Sequence, residues 1–141
     1  MGVVVKRVYE PASSSDGVRV LVDRLWPRGL TKEDAAIKFW LREIAPSNEL
    51  RQWFHANAAG WSMFRKRYLK ELASAEGSAA VEKLHRLAEG KRPVTLLYAS
   101  RNEERNNATV LKELLEGMRK PPSSVGRGAV GRGRIRKAKR L

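Results

Sequence analysis

Residues 18–29 read VRVLVDRLWPRG, a run of β-branched and aliphatic residues that ends abruptly in charged, aromatic and turn-forming ones. The apolar half has the composition of a strand that is buried on both faces of a sheet. Such a strand delivers Asp23, Arg24, Trp26 and Arg28 to one edge of the sheet. Because ligands of open α/β folds bind at the carboxyl ends of the strands, this clustering predicts a pocket.

A second segment repeats the order of strand, polar loop and helix. Residues 93–98, PVTLLY, predict another central strand, a polar loop follows at 99–107, and an apolar helical face extends over 108–118. If the two strands run parallel and side by side, their two loops surround one crevice. The predicted lining comprises Arg24, Trp26, Arg28, Arg101 and Asn106.

The remaining segments predict one more strand and four helices. Residues 3–8 form a β-rich run, and residues 9–17 are turn material. Helices are predicted from the N-cap Thr31 to the stop at Pro46, from Ser47 to Asn57, from Gly60 until Gly77, and from the cap Ser78 to Gly90. We therefore expect an α/β fold, with a small, mainly parallel sheet of about three to four strands packed by helices. Residues 1–118 form a single domain in this prediction.

The composition excludes several classes of site. The 141 residues include no cysteine, which rules out disulfides, thiolate zinc sites, iron–sulfur clusters and cysteine nucleophiles. The apolar run at residues 3–5 is too short for a secretory signal, and no window resembles a membrane span of about 18 apolar residues. We expect a protein of the cytoplasm with no membrane partner.

The net charge of +14 is concentrated at the C-terminus. Residues 119–141 hold nine Lys and Arg and no acidic residue, whereas residues 1–118 hold 20 basic and 15 acidic residues, a difference of +5. A Pro/Ser linker and an Arg/Gly/Lys-rich segment of this kind predict a flexible, disordered tail. Such a polycation either contacts nucleic acid non-specifically or is a dispensable solubilising extension.

The chain resembles the YeaO-like branch of the family catalogued as domain of unknown function 488. The likeness covers about residues 3–116 and includes the specific string DRLWPRG at 23–29. Further matching positions are Lys6–Pro11, Asp16–Gly17, Ile44–Ser47, Leu50–Arg51, Phe54–His55, Phe64, Tyr68–Leu69, Thr95–Tyr98, Asn106 and Ala108. The resemblance implies a small single-domain α/β protein of bacterial type and brings no established activity.

This sequence also departs from the family pattern. Many relatives have His-Asp-Pro where Ala56–Ala58 stands and His where Arg105 stands, and many carry Cys and His near the last strand and helix. If those polar positions are catalytic in the relatives, this chain is a binding-only version.

Each candidate site residue has a functional and a structural interpretation. Arg24 and Arg28 present planar forks of donors suited to phosphate or carboxylate, and Asp23 either positions a ligand or pairs internally with an arginine. Trp26 either stacks on a base or sugar or fills the space beneath the next helix.

The later candidates have similar alternatives. Arg101 and Asn106 lie where a helix N-terminus favours negative charge, and Asn102 is a candidate N-cap for that helix. His55 is either a general acid or base or a surface group at the end of a helix.

The sequence therefore predicts a pocket that binds a small anionic, possibly phosphorylated, ligand through Asp23, Arg24, Trp26, Arg28, His55, Arg101 and Asn106. Neither loop has a glycine-rich phosphate cradle, and the two histidines have no carboxylates at metal-ligand spacing. We expect no cofactor and no metal. The competing hypothesis is an accessory protein that binds RNA or DNA through its basic tail.

Overall fold

The computed structural model describes residues 2–119. Its centre is a sheet of four parallel strands in the order β1-β4-β2-β3. The strands are β1 (Val3–Arg7), β2 (Val18–Leu21), β3 (Phe39–Trp40) and β4 (Val94–Tyr98). The predicted α/β class and the mainly parallel sheet of three to four strands are confirmed.

Within residues 2–119, five α-helices surround this sheet. They are α1 (Lys32–Ala35), α2 (Asn48–Ala56), α3 (Trp61–Leu72), α4 (Ala75–Ala88) and α5 (Asn107–Arg119). Two short 3-10 helices occupy Ser14–Asp16 and Arg42–Ile44. The predicted cap of α2 is confirmed, because the Ser47 hydroxyl accepts a hydrogen bond from the Leu50 amide at 3.1 Å.

The predicted helix between Thr31 and Pro46 is wrong. Helix α1 ends after one turn at Ala36, which has a left-handed φ of 49°. The guanidinium of Arg19 donates to the Ala35 and Ala36 carbonyls, at 2.7 Å for Nη2 to Ala35, and occupies acceptors that a longer helix needs. The chain then continues into β3 at the edge of the sheet.

The helical spacing of the apolar residues in this segment was misleading. Ile37 and Trp40 pack with Leu21 on one face of the sheet, whereas Leu41 and Ile44 join the larger core on the other face. The four apolar residues therefore do not form the single stripe of an amphipathic helix.

The boundary between α3 and α4 also differs from the prediction. Ser74, and not Ser78, caps α4, because its hydroxyl accepts from the Gly77 amide at 3.2 Å. Gly77 lies inside the first turn of α4, where a Cβ would stand 2.6 Å from the Glu71 carbonyl oxygen. Gly77 thus permits the close approach of the two helices instead of breaking one.

The core has two unequal parts because successive strand residues face opposite sides of the sheet. The larger cluster joins Val20, Leu96 and Tyr98 to apolar residues of α2, α3, α4 and α5. The smaller cluster joins Val8, Leu21 and Leu97 to Trp26, Leu30, Ile37 and Trp40. Both central strands are therefore buried on both faces, as their composition predicts.

The predicted linker and disordered tail lie beyond Arg119, outside the described residues. The domain boundary at residue 118 stays a prediction. Within residues 2–119, no helix combines the length and the apolar character needed to cross a membrane.

Candidate functional site

The carboxyl ends of β2 and β4 lie side by side, as the crevice hypothesis requires. The two strands pair in parallel from Val18 with Val94 to Leu21 with Leu97. Beyond the last pair, the Val22 amide donates to the Leu97 carbonyl at 3.1 Å, and the Ala99 amide donates to Asp23 Oδ2 at 2.9 Å. The two polar loops therefore leave the sheet at the same edge.

A cavity of about 730 Å³ opens between these loops and helix α2. Residues 23–28 form one side, residues 99–102 and 105–107 form another, and Ala45, Pro46 and three residues of α2 close it. All seven residues predicted as site residues line this cavity: Asp23, Arg24, Trp26, Arg28, His55, Arg101 and Asn106.

Asp23 is fixed at the junction of the two strands. Its Oδ2 accepts from Ala99, its Oδ1 accepts from Asn107 Nδ2 at 3.1 Å, and its carbonyl accepts from Trp40 Nε1 at 2.7 Å. Burial raises the pKa of Asp23 above 3.8, against the opposing effects of the two hydrogen bonds and of the positive charge of Arg51. No arginine forms an ion pair with Asp23 within the described part of the chain.

Arg24 is oriented by backbone carbonyls. Its Nε donates to Pro46 at 3.3 Å and its Nη2 donates to Ala45 at 3.2 Å. Because a guanidinium carries five N–H donors, Arg24 keeps donors for a ligand. The loop that holds it is itself held by α3, where Glu71 accepts from the Ser47 amide at 2.8 Å and from the Ser47 hydroxyl at 2.6 Å.

Four further arginines line the cavity, and two of them were not predicted. Arg28 and Arg101 are exposed at its rim, and Arg51 and Arg105 join them. None of these four side chains has a hydrogen-bond or ion-pair partner within residues 2–119. Arg51 precedes His55 by one helical turn, so the shared helix face is a signal that could have identified it.

Trp26 is held by several contacts within the protein. Its Nε1 donates to the Leu30 carbonyl at 2.8 Å, and its ring meets Trp40 edge to face with centroids 5.5 Å apart. The ring packs on the smaller core cluster of Val8, Leu21 and Leu97. These contacts match the structural interpretation of Trp26 while leaving it on the cavity lining.

Asn106 is the N-cap of α5, the position that the sequence suggested for Asn102. Its Oδ1 accepts from the Thr109 amide at 3.0 Å, and its Nδ2 donates to the Asn102 carbonyl at 2.8 Å. Asn102 instead closes a local turn by accepting from the Glu104 and Arg105 amides. The side chain of Asn106, 3% exposed, is thus engaged by its own loop and helix.

His55 and an unpredicted aromatic wall complete the cavity. His55 lies exposed in the last turn of α2. Next to it, Phe54 stacks on Phe64 with ring centroids 4.4 Å apart, and both rings line the cavity. The cavity therefore combines an apolar aromatic side with a cationic side.

The charge of the lining is strongly positive. Five arginines line the cavity, whereas Asp23 is the one carboxylate that lines it within residues 2–119. Within residues 2–119, no group of three or more His, Asp or Glu residues could hold a metal ion.

Comparison with known proteins gives a consistent assignment. The family model described as the inactive DUF488-N3 subclade matches residues 2–123. The uncharacterized protein YeaO of Escherichia coli is 47% identical over 118 residues, which cover 84% of this chain and 100% of that protein. An uncharacterized protein of Mycobacterium bovis is 44% identical over 113 residues, 80% of this chain and 92% of its own length. No solved structure matches.

Proposed function

This chain belongs to the DUF488 family, in the subclade described as inactive, and we propose that it binds a small anionic, phosphorylated ligand in its arginine cavity. The arginine cavity is the cavity lined by Arg24, Arg28, Arg51, Arg101 and Arg105. The observation that carries the proposal is the excess of five guanidinium groups over one carboxylate on this lining. Guanidinium groups bind phosphate and carboxylate through paired, charge-assisted hydrogen bonds.

The arrangement of these arginines supports binding better than a structural role. Outside the cavity, Arg19 Nη1 bonds to Asp16 Oδ2 at 2.6 Å and Arg65 Nε bonds to Glu113 at 3.2 Å. The arginines of the cavity form no such ion pairs within the described residues. Their mutual repulsion is relieved when an anion binds between them.

The proposal is for binding without turnover. The subclade is described as inactive, and Arg105 stands where many relatives are expected to have His. His55 is the one histidine on the lining, and its side chain has no carboxylate partner within residues 2–119. A general base of the Ser-His-Asp kind needs such a partner to orient it.

A thermal-shift series with inorganic phosphate and pyrophosphate tests the proposal. A ligand at 100 times its Kd stabilises the folded state by about 2.7 kcal/mol, which raises the Tm of a domain of this size by several degrees. We expect the double variant Arg24→Ala with Arg28→Ala to remain folded and to lose this increase.

The matched control is Arg65→Ala with Arg86→Ala. Arg65 forms a surface ion pair with Glu113, Arg86 forms one with Glu82, and neither arginine lines the cavity. The two double variants remove the same net charge. Retained stabilisation in the control supports the site. Equal loss in both variants, or no stabilisation of the wild type by any phosphate compound, contradicts it. Recovery of the bound phosphate compound unchanged, followed by ³¹P NMR, checks the absence of turnover.

Residues 119–141 support a second candidate function, which is non-specific binding of RNA or DNA. Nine basic residues without an acidic one can neutralise several phosphates, and such binding weakens steeply with salt. Deletion of residues 121–141 is expected to abolish nucleic-acid binding at low salt. An unchanged affinity would assign any such binding to residues 1–120 instead.

A further inference from the structure

Asp23 is an unusual residue for the lining of an anion site. A carboxylate repels a phosphate group, yet it occupies the junction of β2 and β4 inside the arginine cavity. Glu103 and Glu104, the acidic residues of the later loop, are absent from the lining. The position of Asp23 therefore calls for a ligand group other than the anion.

The hydrogen bonds of Asp23 leave acceptor capacity on both carboxylate oxygens. Oδ2 accepts from the Ala99 amide and Oδ1 accepts from Asn107 Nδ2, one protein donor each. An ionised carboxylate offers about four acceptor positions in total. The unused positions suit a hydroxyl donor that reaches Asp23 from the cavity.

We infer that the ligand is a phosphorylated sugar, whose phosphate contacts the cavity arginines while a sugar hydroxyl donates a hydrogen bond to Asp23. This inference rests on the proposed function, because it names the ligand class of the same cavity. The sugar phosphate is either free or part of a nucleotide. In a nucleotide, the base has the ring of Phe54 available as an apolar surface.

Asp23 is then a specificity-determining residue. A site that hydrogen-bonds a ligand hydroxyl rejects an analogue without that hydroxyl, since the analogue leaves the buried acceptor unpaired. The aromatic wall formed by Phe54 and Phe64 has the opposite effect on specificity, because it favours the analogue without the hydroxyl, which is more apolar. The two effects separate cleanly in a comparison of matched phosphate esters.

The experiment compares glycerol 1-phosphate with propyl phosphate by calorimetric titration of the full chain. The two esters have the same carbon chain, and only the first carries free hydroxyls. We expect glycerol 1-phosphate to bind wild type about tenfold more tightly. The variant Asp23→Asn has an amide with one acceptor oxygen instead of two. We expect this variant to bind glycerol 1-phosphate and propyl phosphate about equally tightly.

Ribose 5-phosphate and adenosine 5′-monophosphate distinguish the two sources of the sugar phosphate. Tighter binding of the nucleotide assigns the aromatic wall to its base, whereas equal binding assigns the site to a free sugar phosphate. The melting curve of Asp23→Asn is recorded alongside, and if this variant does not fold, the wild-type comparison of the two esters decides the inference alone.

The possible failures are distinguishable. Equal or tighter binding of propyl phosphate to wild type overturns the sugar-phosphate inference and leaves the anion-binding proposal standing. A preference that persists in Asp23→Asn overturns the role of Asp23. If none of the four phosphate compounds binds, both the inference and the proposed function fall.

Discussion

The side-chain amide of Asn107 ties the first residue of α5 to the end of β2, by donating to Asp23 Oδ1 at 3.1 Å and to the Val22 carbonyl at 2.9 Å. The two segments are more than 80 residues apart in the chain, so this contact is purely tertiary. It orients the one carboxylate on the lining of the arginine cavity and fixes the start of α5.

Replacing Asn107 by Ala is expected to lower the free energy of unfolding by about 1–3 kcal/mol. The change removes both hydrogen bonds and leaves the buried Val22 carbonyl without its side-chain donor. Urea unfolding followed by circular dichroism measures the effect. Asn48→Ala, at an exposed position in the first turn of α2, is the control and should change stability by less than about 0.5 kcal/mol.

Asp16 is expected to make stability depend on acid pH. Burial alone would raise its pKa, but hydrogen bonds from the Ser13 amide, Lys6 and Arg19, together with the charge of Lys6, lower the pKa below 3.8. The pKa of Asp16 is lower in the folded state than in the unfolded state. The ionised carboxylate therefore stabilises the fold fully above pH 3.8, and this stabilisation is lost as the pH falls through the folded-state pKa.

The variant Asp16→Asn tests this dependence. At pH 7 it leaves Arg19, 5% exposed, without its carboxylate partner, and we expect a loss of about 3 kcal/mol. The difference in the free energy of unfolding between wild type and Asp16→Asn, measured by urea titration, should become smaller below pH 3.8. Asp34→Asn, an exposed acid in the first turn of α1, should show a small difference at every pH. A constant deficit for Asp16→Asn would refute the ionic origin.

Tyr68 and Tyr9 each donate a hydrogen bond from the side-chain hydroxyl to a backbone carbonyl, and they differ in burial. Tyr68 is fully buried and donates to the Ile44 carbonyl, whereas Tyr9 is 40% exposed and donates to Arg28 at 2.9 Å. Burial and the negative charges of Asp23 and Glu71 raise the pKa of Tyr68 well above 10, so its hydroxyl stays neutral. Tyr68→Phe should cost about 1–2 kcal/mol and Tyr9→Phe under about 0.5 kcal/mol in thermal or urea unfolding.

Gly77 and Gly117 should respond oppositely to alanine although both lie in helices. A Cβ at Gly77 would lie 2.6 Å from the Glu71 carbonyl oxygen and 2.8 Å from Leu72 Cα, both backbone atoms of α3. Gly77→Ala should therefore destabilise the protein by about 1–3 kcal/mol despite the better helix propensity of alanine.

Gly117, in α5, has nothing within 4 Å of the same position. Gly117→Ala should raise the free energy of unfolding by about 0.5–1 kcal/mol, because alanine loses less backbone entropy on folding. Equal responses of the two variants in urea unfolding would show that the contact between α3 and α4 is not tight.

Local sequence was sufficient for the central strands and for the position of the cavity. The two runs end in Val20–Val22 and Leu96–Tyr98, which are apolar at three successive positions, as expected of a strand covered on both faces. The polar residues directly after them therefore had to meet at one edge once the strands were parallel neighbours. For the same reason, six of the seven predicted residues line one cavity, and the seventh, His55, reaches it from α2.

The tertiary structure decided what local patterns leave ambiguous. The spacing of Ile37, Trp40, Leu41 and Ile44 fits a helix, but pairing with β2 and the capture of the Ala35 carbonyl by Arg19 turn the segment into an edge strand. Arg51 and Arg105 reach the cavity from a helix and a loop whose approach depends on packing. The partners of Asp23 likewise come from distant segments. Local sequence encodes which faces are apolar, whereas contacts between distant segments depend on the free energy of the assembled core, and only the complete fold determines those contacts.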